Sequence, residues 1–270
     1  FKQLISFRPK VIHAFLEDAA FVACLYKIIF GGRVVYEMHG VGGQFSWKKF
    51  SIMEYMSVKL SDHIIVMSHR MKKIVEDKYG VSSKKVSVMW GPIDMQIFKH
   101  SKRKKSKSFT VCYGGNDSKY QGVETMLEAA RKLESKKNIR FKFIGFEKKG
   151  HPDLENVEYF GVIPDDKLFI KSILDSDVFL SCYEGGTANY AYPHKLSTYL
   201  CLGRPVIASD VSDCKIILRK SKAGETFEAG DSDQLVEKII SFSKLSNKQL
   251  DEMCSNAVEF AKNNFSVSKI

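Results

Sequence analysis

KVSVMWGPIDMQIFKHSKRKKSKSFTVCYGG, residues 85–115, holds the break that decides the fold. Lys85–Trp90 reads as a short apolar strand. Gly91-Pro92 stops it, because proline lacks the amide hydrogen that a ladder needs and glycine frees the backbone. Residues 99–108 then carry six Lys/Arg and no acid. At Phe109 a second apolar strand starts, and it ends in the pair Gly114-Gly115. A strand, a stop, a basic bridge and a fresh strand predict two units, residues 1–98 and 109–270, joined by a basic linker or hinge at 99–108.

The same alternation runs outward in both directions. Upstream, KVIHAF, RVVYEMHG and HIIVMS read as strands. Between and after them, EDAAFVACLYKIIF, KKFSIMEYMSVKL and HRMKKIVEDKYG carry helical spacing. Downstream, IRFKFIGF, VEYFG, VFLSCY and PVIASD are strand-like, and VETMLEAARKLESK, DDKLFIKSILDSD and PHKLSTYLCLG are helix-like. Two further helices finish the chain, within residues 235–245 and 247–265. Near-continuous apolar strands separated by amphipathic helices predict parallel sheets covered on both faces. The fold class is therefore α/β, with two Rossmann-like domains of which the first is incomplete.

Composition narrows the class. The chain has 270 residues, 44% hydrophobic and 27% charged, which fits a globular protein of one large or two average domains. No apolar run reaches the roughly 18 residues of a membrane span. The best candidate, Ala19–Phe30, is short and contains Lys27. The N-terminus FKQLISFRPK lacks both a secretory apolar core and a start Met, so the chain is expected to begin inside a longer protein. The six cysteines are scattered without a Cys-x-x-Cys pair, and the seven histidines form no ligand cluster. Buried thiols in a reducing, cytoplasmic setting and no metal are expected.

The net charge of +11 is uneven. Residues 1–98 contribute +6, residues 99–108 another +6, and the remainder −1. Such a surplus suits nucleic acid, an anionic membrane or a phosphorylated ligand. No nucleic-acid module is recognised, so nucleic acid is not the expected partner. The stretch QFSWKKFSIMEYMSVKL, residues 44–60, reads as a packed helix with a basic outer face, or as one lying on anionic lipid.

In open parallel sheets ligands sit beyond the carboxyl ends of strands. Four turns qualify: His39–Gly43, Ser68–His69, Gly114–Gly122 and Tyr183–His194. In the third, Gly115 and Asn116 follow a strand, Lys119 sits in the turn, and Gly122 enters a helix, an arrangement that favours an anion. In the fourth, Glu184 stands beside Gly185 and Gly186, and Pro193 suits the first turn of a helix. His194 and Lys195 follow, cations at the unfavourable end of the helix dipole, which makes sense with an anion between them and the free amides. His39 closes a strand beside glycines and is a candidate polar contact or proton carrier. His13 also ends a strand, but apolar residues follow it, and a structural role is expected.

These pieces, in this order, resemble the family-4 (group 1) glycosyltransferases and their two-domain GT-B fold over nearly the whole chain. RPKVIHAF and VVYEMHG resemble the family's strands ending in His. In SDHIIVMSHRMKKIVEDKYGVSSKKVSVMWGPIDMQIF, Ser68, Gly91, Asp94 and Phe98 match, and Trp90 stands where the family has Asn. GGNDSKYQGVETMLEAARKL is similar to the turn opening the C-terminal domain. LCLGRPVIASD and AGETFEAGDSDQLVEKI are similar to its later segments. The resemblance implies sugar transfer from a nucleotide-sugar donor, usually with retention, without a metal and with no cofactor. It places the nucleotide on the C-terminal domain, the acceptor against the N-terminal one, and His39 near the transferred sugar. It also implies strands and a glycine turn ahead of Phe1.

The departures are specific. Gly115 and Gln121 stand where the family has its phosphate-turn Arg and Lys. Thr198 stands where the family has the second of two Glu. The expected assignment is Lys119, His194 and Lys195 on the phosphates, Thr198 on the ribose and Glu184 on the sugar, with Gly115, Asn116, Gly185 and Gly186 shaping the site. The acceptor is expected to be a polysaccharide or lipid-linked glycan at the inner face of the membrane. A silent nucleotide-sugar-binding subunit or scaffold, and a nucleotide-sugar epimerase, are the alternatives. The epimerase would require a carboxylate pair that the sequence does not display.

Overall fold

The computed structural model describes residues 1–40, 48–95, 98, 103 and 106–267, with only the backbone of 48–51 and Thr187. The chain forms two compact units. The first comprises Phe1–Gly91 together with Asn189–Tyr192, and the second comprises the residues from Pro92 to Ala188 and from Pro193 onward.

The first unit runs α1 (Lys2–Phe7), β1 (Val11–Phe15), α2 (Leu16–Phe30), β2 (Arg33–Met38), α3 (Lys48–Leu60), β3 (His63–Val66), α4 (His69–Tyr79) and β4 (Val86–Val88). Its four strands lie in chain order β1-β2-β3-β4, all parallel. Val34, Tyr36, Met38, Ile64 and Val66 are buried between the helices. Local chemistry sets the ends of α4. Ser68 caps its start by accepting from the Met71 amide at 3.0 Å, and Gly80 ends it in the left-handed region at φ 57. The Ser68 hydroxyl also donates to the Tyr190 carbonyl at 2.8 Å, holding the returning segment 189–192. Of the stretch 44–60, residues 44–47 lie outside the described residues, and the rest is α3, with Val58 buried and Ile52 and Tyr55 exposed.

The second unit contains β5 (Phe109–Gly114), α5 (Val123–Lys132), β6 (Ile139–Ile144), β7 (Val157–Tyr159), α6 (Asp166–Ile173) and β8 (Val178–Ser181). After these come α7 (His194–Cys201), β9 (Val206–Ser209), α8 (Cys214–Ser221), β10 (Gly224–Phe227), α9 (Ser232–Ser243) and α10 (Asn247–Asn264). The strand order is β10-β9-β8-β5-β6-β7, again all parallel. Every residue of β8 and β9 is buried, as their unbroken apolar runs predict. The order reverses at the β5–β8 pair, where Val111 faces Val178 and Cys112 faces Phe179. Such a switch point leaves a crevice beyond the strand ends, because the two following connections diverge to opposite sides.

Most of the basic run 99–108 lies outside the described residues, but Arg103 does not. It is 9% exposed. Its guanidinium pairs with Asp177, reaches Asn247 Oδ1 at 2.5 Å and lies 3.4 Å from Asp251. Asp177 in turn accepts from the Thr110 amide at 2.8 Å, at the start of β5. This basic residue is an internal anchor of the second unit.

Candidate functional site

The switch point of the second sheet collects most of the residues singled out in the sequence. β5 ends at Gly114, and the chain turns through Gly115 and a short 3-10 turn (Lys119–Gln121) to Gly122, which enters α5 with φ 63. A Cβ on Gly122 would lie 3.1 Å from Cys182 Cβ, so glycine lets α5 start against the end of β8. Gly115 solves a different contact. A Cβ there would fall 2.5 Å from Lys195 Cε and 2.7 Å from Tyr113 Oη. The absent side chain is the passage through which Lys195 reaches the turn.

Lys195 is the second residue of α7. Its Nζ donates to Gln121 Oε1 and lies over two rings, 5.6 Å from the Tyr113 centroid and 5.5 Å from that of Tyr183. Among the described residues no carboxylate pairs with it. Burial pushes its ammonium down to about 8. Gln121 is itself 5% exposed, and Tyr113 donates to the Asn116 carbonyl at 2.7 Å. A half-buried cation held by a neutral amide and aromatic faces, rather than by an acid, has unspent attraction for an anion.

The other expected residues divide. The Asn116 side chain closes its own turn by accepting from Ser118. Glu184 is tied to the same turn through its backbone, its amide donating to the Tyr120 carbonyl at 3.0 Å. Its carboxylate accepts from Thr125 in the first turn of α5 at 3.4 Å. Gly185 and Gly186 are exposed, and Gly186, at φ 69, opens a 3-10 turn (Gly186–Asn189). Pro193 stands one residue earlier than expected, as the N-cap of α7, and His194 is the first helical residue. His194 is exposed, and its carbonyl accepts from Thr198 Oγ1 at 3.0 Å, so that hydroxyl donates within the helix and keeps its acceptor lone pairs. Lys119 lines a separate cavity of about 440 Å³ with Asp117, Glu124, Arg131 and His151.

The first unit holds its own cluster at the end of β2. His39 Nε2 meets Glu37 Oε1 at 2.7 Å, and His13 Nε2 meets Glu37 Oε2 at 2.8 Å. The His39 ring packs on Phe15, with centroids 4.2 Å apart. Glu37 is 8% exposed. Sequence reading found His39 and passed over its partners. The available signal was the two-residue spacing, which puts Glu37 and His39 on one face of a strand. Gln121, Tyr113 and Tyr183 were missed for another reason: their role exists only because α7 delivers Lys195 among them.

Among the described residues no group of three or more His, Cys, Asp or Glu side chains could hold a metal ion, and no helix is long and apolar enough to cross a membrane.

Comparison with known proteins agrees with this architecture. No curated protein sequence matches the chain. Among solved structures, Anabaena HepE in complex with UDP is similar with a TM-score of 0.78 at 14% identity, over 99% of this chain and 78% of that one. Sucrose-phosphate synthase from Thermosynechococcus elongatus gives 0.74 at 14% identity, covering 99% and 72%. The lipopolysaccharide outer core galactosyltransferase WaaB, in its apo form, gives 0.71 at 16%, covering 100% and 78%. At these identities the likeness is one of fold, the GT-B arrangement of parallel α/β units. A family model for glycosyltransferase family 4 matches residues 1–97, and one for glycosyl transferases group 1 matches residues 94–263. That second match spans more than half of the chain, and the protein belongs to the group 1 glycosyl transferases.

Proposed function

We propose that this glycosyltransferase moves a sugar from a nucleotide-sugar donor to a glycan or lipid-linked acceptor, with retention and without a metal. The observation that carries the reading is Lys195, half-buried beside the Gly115 turn without an acid partner among the described residues. A diphosphate leaving group would supply the missing anion. The first amides of α7 add to the same electrostatic stabilisation. Glu184, fixed between the β5 turn and α5, takes a hydroxyl of the sugar, and His39 is the family's histidine near the transferred sugar. UDP-sugars are the first donors to test, because HepE has been crystallised with UDP and with UDP-glucose.

The test is thermal unfolding against a panel of nucleoside diphosphates and nucleotide sugars, followed by donor hydrolysis. A rise in the unfolding midpoint with one nucleotide family is expected. No shift with any of them would end the reading. A second reading, a silent nucleotide-sugar-binding subunit, is favoured by Thr198, which stands where the family has its second Glu and binds its own helix. Binding without hydrolysis or transfer would select it.

Contact with an anionic membrane is part of the same proposal. Phe7 is 84% exposed, Ile28 and Ile29 are also exposed, and Lys2, Arg8, Lys10 and Arg33 lie close in sequence. Exposed apolar groups interleaved with cations suit a lipid surface. Co-sedimentation with phosphatidylserine vesicles, lost at high salt, is the expected result, and equal recovery with neutral vesicles would remove it.

A further inference from the structure

We propose that Glu37 is a positioning residue that fixes the tautomer of His39, so that His39 offers Nδ1 as a hydrogen-bond acceptor to a sugar hydroxyl. The inference deepens the glycosyltransferase reading and rests on it for the identity of the sugar. Its structural half stands on the carboxylate alone. Glu37 is an acceptor at both oxygens, and each oxygen is within hydrogen-bond distance of an imidazole Nε2: 2.7 Å to His39 and 2.8 Å to His13. A carboxylate cannot donate, so both rings must donate from Nε2. In a neutral imidazole that leaves Nδ1 as the acceptor.

Three features make the arrangement selective. Glu37 is paired in register with Phe15 of β1 and Ile65 of β3, so its backbone is held from both sides. Phe15 packs on the His39 ring at a tilt of 52°, which limits rotation about its last torsion. His13 occupies the second oxygen, so Glu37 cannot swing wholly to His39 without leaving His13 alone. Among the described residues nothing bonds His39 Nδ1. Sugar hydroxyls donate readily, and an acceptor of fixed direction selects one of them.

Glu37→Gln separates this from a merely structural role. The amide keeps the shape but offers one acceptor oxygen and a donating NH2, so it cannot accept from both rings. The experiment is a long-range proton–nitrogen correlation spectrum of the uniformly 15N-labelled full chain at pH 8, with His13→Gln and His39→Gln for assignment. In the unsubstituted protein His13 and His39 are expected to carry their protons on Nε2. In E37Q one of the two rings is expected to move its proton to Nδ1. With the donor selected by the thermal panel, kcat/KM of E37Q should fall about tenfold, the loss of one buried hydrogen bond. A His39 proton on Nδ1 in the unsubstituted protein would overturn the proposal. So would an E37Q spectrum and turnover like the parent's. If E37Q does not fold, the unsubstituted spectrum still decides. If no donor binds at all, the glycosyltransferase reading fails, and the spectra alone judge the positioning role.

Discussion

Lys195 donates to Gln121, an amide, in a place where burial would lead one to expect a carboxylate. Desolvation of that ammonium sets its pH behaviour. The folded-state pKa of about 8 lies below the ordinary 10.5. Between those values the unfolded chain binds more protons than the folded one, so the contribution of Lys195 to stability rises with pH across that window. An anionic ligand acts in the opposite sense, because it needs the charged form. Nucleoside diphosphate affinity, measured by titration calorimetry, is therefore expected to weaken as pH rises through 8 toward 9. Lys195→Met should remove that dependence and lower affinity at least tenfold. It should also raise the ligand-free unfolding midpoint by about 2–4 °C, because a partly desolvated charge without an acid partner is gone. A midpoint that falls instead would show that Lys195 stabilises the fold.

Gly115→Ala tests the passage for the same side chain. The new methyl would meet Lys195 Cε at 2.5 Å and Tyr113 Oη at 2.7 Å. Lysine is flexible, so the chain would fold and Lys195 would be displaced. The expected outcome is an unfolding midpoint within about 4 °C of the parent, a cost of roughly 1 kcal/mol, with donor affinity reduced about tenfold. Gly80→Ala, at the end of α4, is the control. Nothing lies within 4 Å of its Cβ, but φ is 57, so its effect should be on stability, about 1 kcal/mol, through backbone strain alone.

Glu184→Gln separates sugar contact from scaffolding. The amide can still accept from Thr125, and the backbone bond from Glu184 to Tyr120 is untouched. Binding of the nucleoside diphosphate should stay within about twofold, while turnover of the sugar donor falls by about two orders of magnitude, the scale of one electrostatic contact at the reacting centre. Equal loss of diphosphate binding would place Glu184 on a hydroxyl of the nucleotide and not at the sugar.

Much of this was legible from pattern. The all-parallel α/β class followed from apolar strands such as VFLS and VIAS, which have no polar alternation because both faces are covered. The place of the glycine turn after β5 and of Lys195 at the start of α7 was legible because backbone chemistry and helix starts are local. What was not legible depends on elements meeting. Gln121 and Lys195 are 74 residues apart, and Glu37 takes one partner from just past the end of its strand and one from β1. Thr198 shows the converse. The resemblance assigns it to a ligand, and a helical threonine also has a carbonyl four residues back, to which Thr198 donates. Arg103 is the sharpest case. A run of six cations reads as solvated, and composition cannot tell which member turns inward.

Arg103 therefore supplies the last prediction. It is one of the most buried charges in the second unit, and it holds Asp177 at the first turn of the sheet, with Asn247 and Asp251 on α10 beside it. Removing it leaves Asp177 buried without its paired guanidinium, its charge offset by the Thr110 amide and the more distant Arg204. Breaking a buried ion pair from one side costs about 3–5 kcal/mol. Arg103→Ala is expected to lower stability by that amount in urea unfolding. Arg103→Lys should recover less than half of it, because a single ammonium cannot reach carboxylate and amide together in the planar geometry of the guanidinium. Ala at Lys107, exposed in the same run, should change nothing beyond about 0.5 kcal/mol. If the two alanine variants unfold alike, the basic run is a solvated bridge throughout and Arg103 anchors nothing.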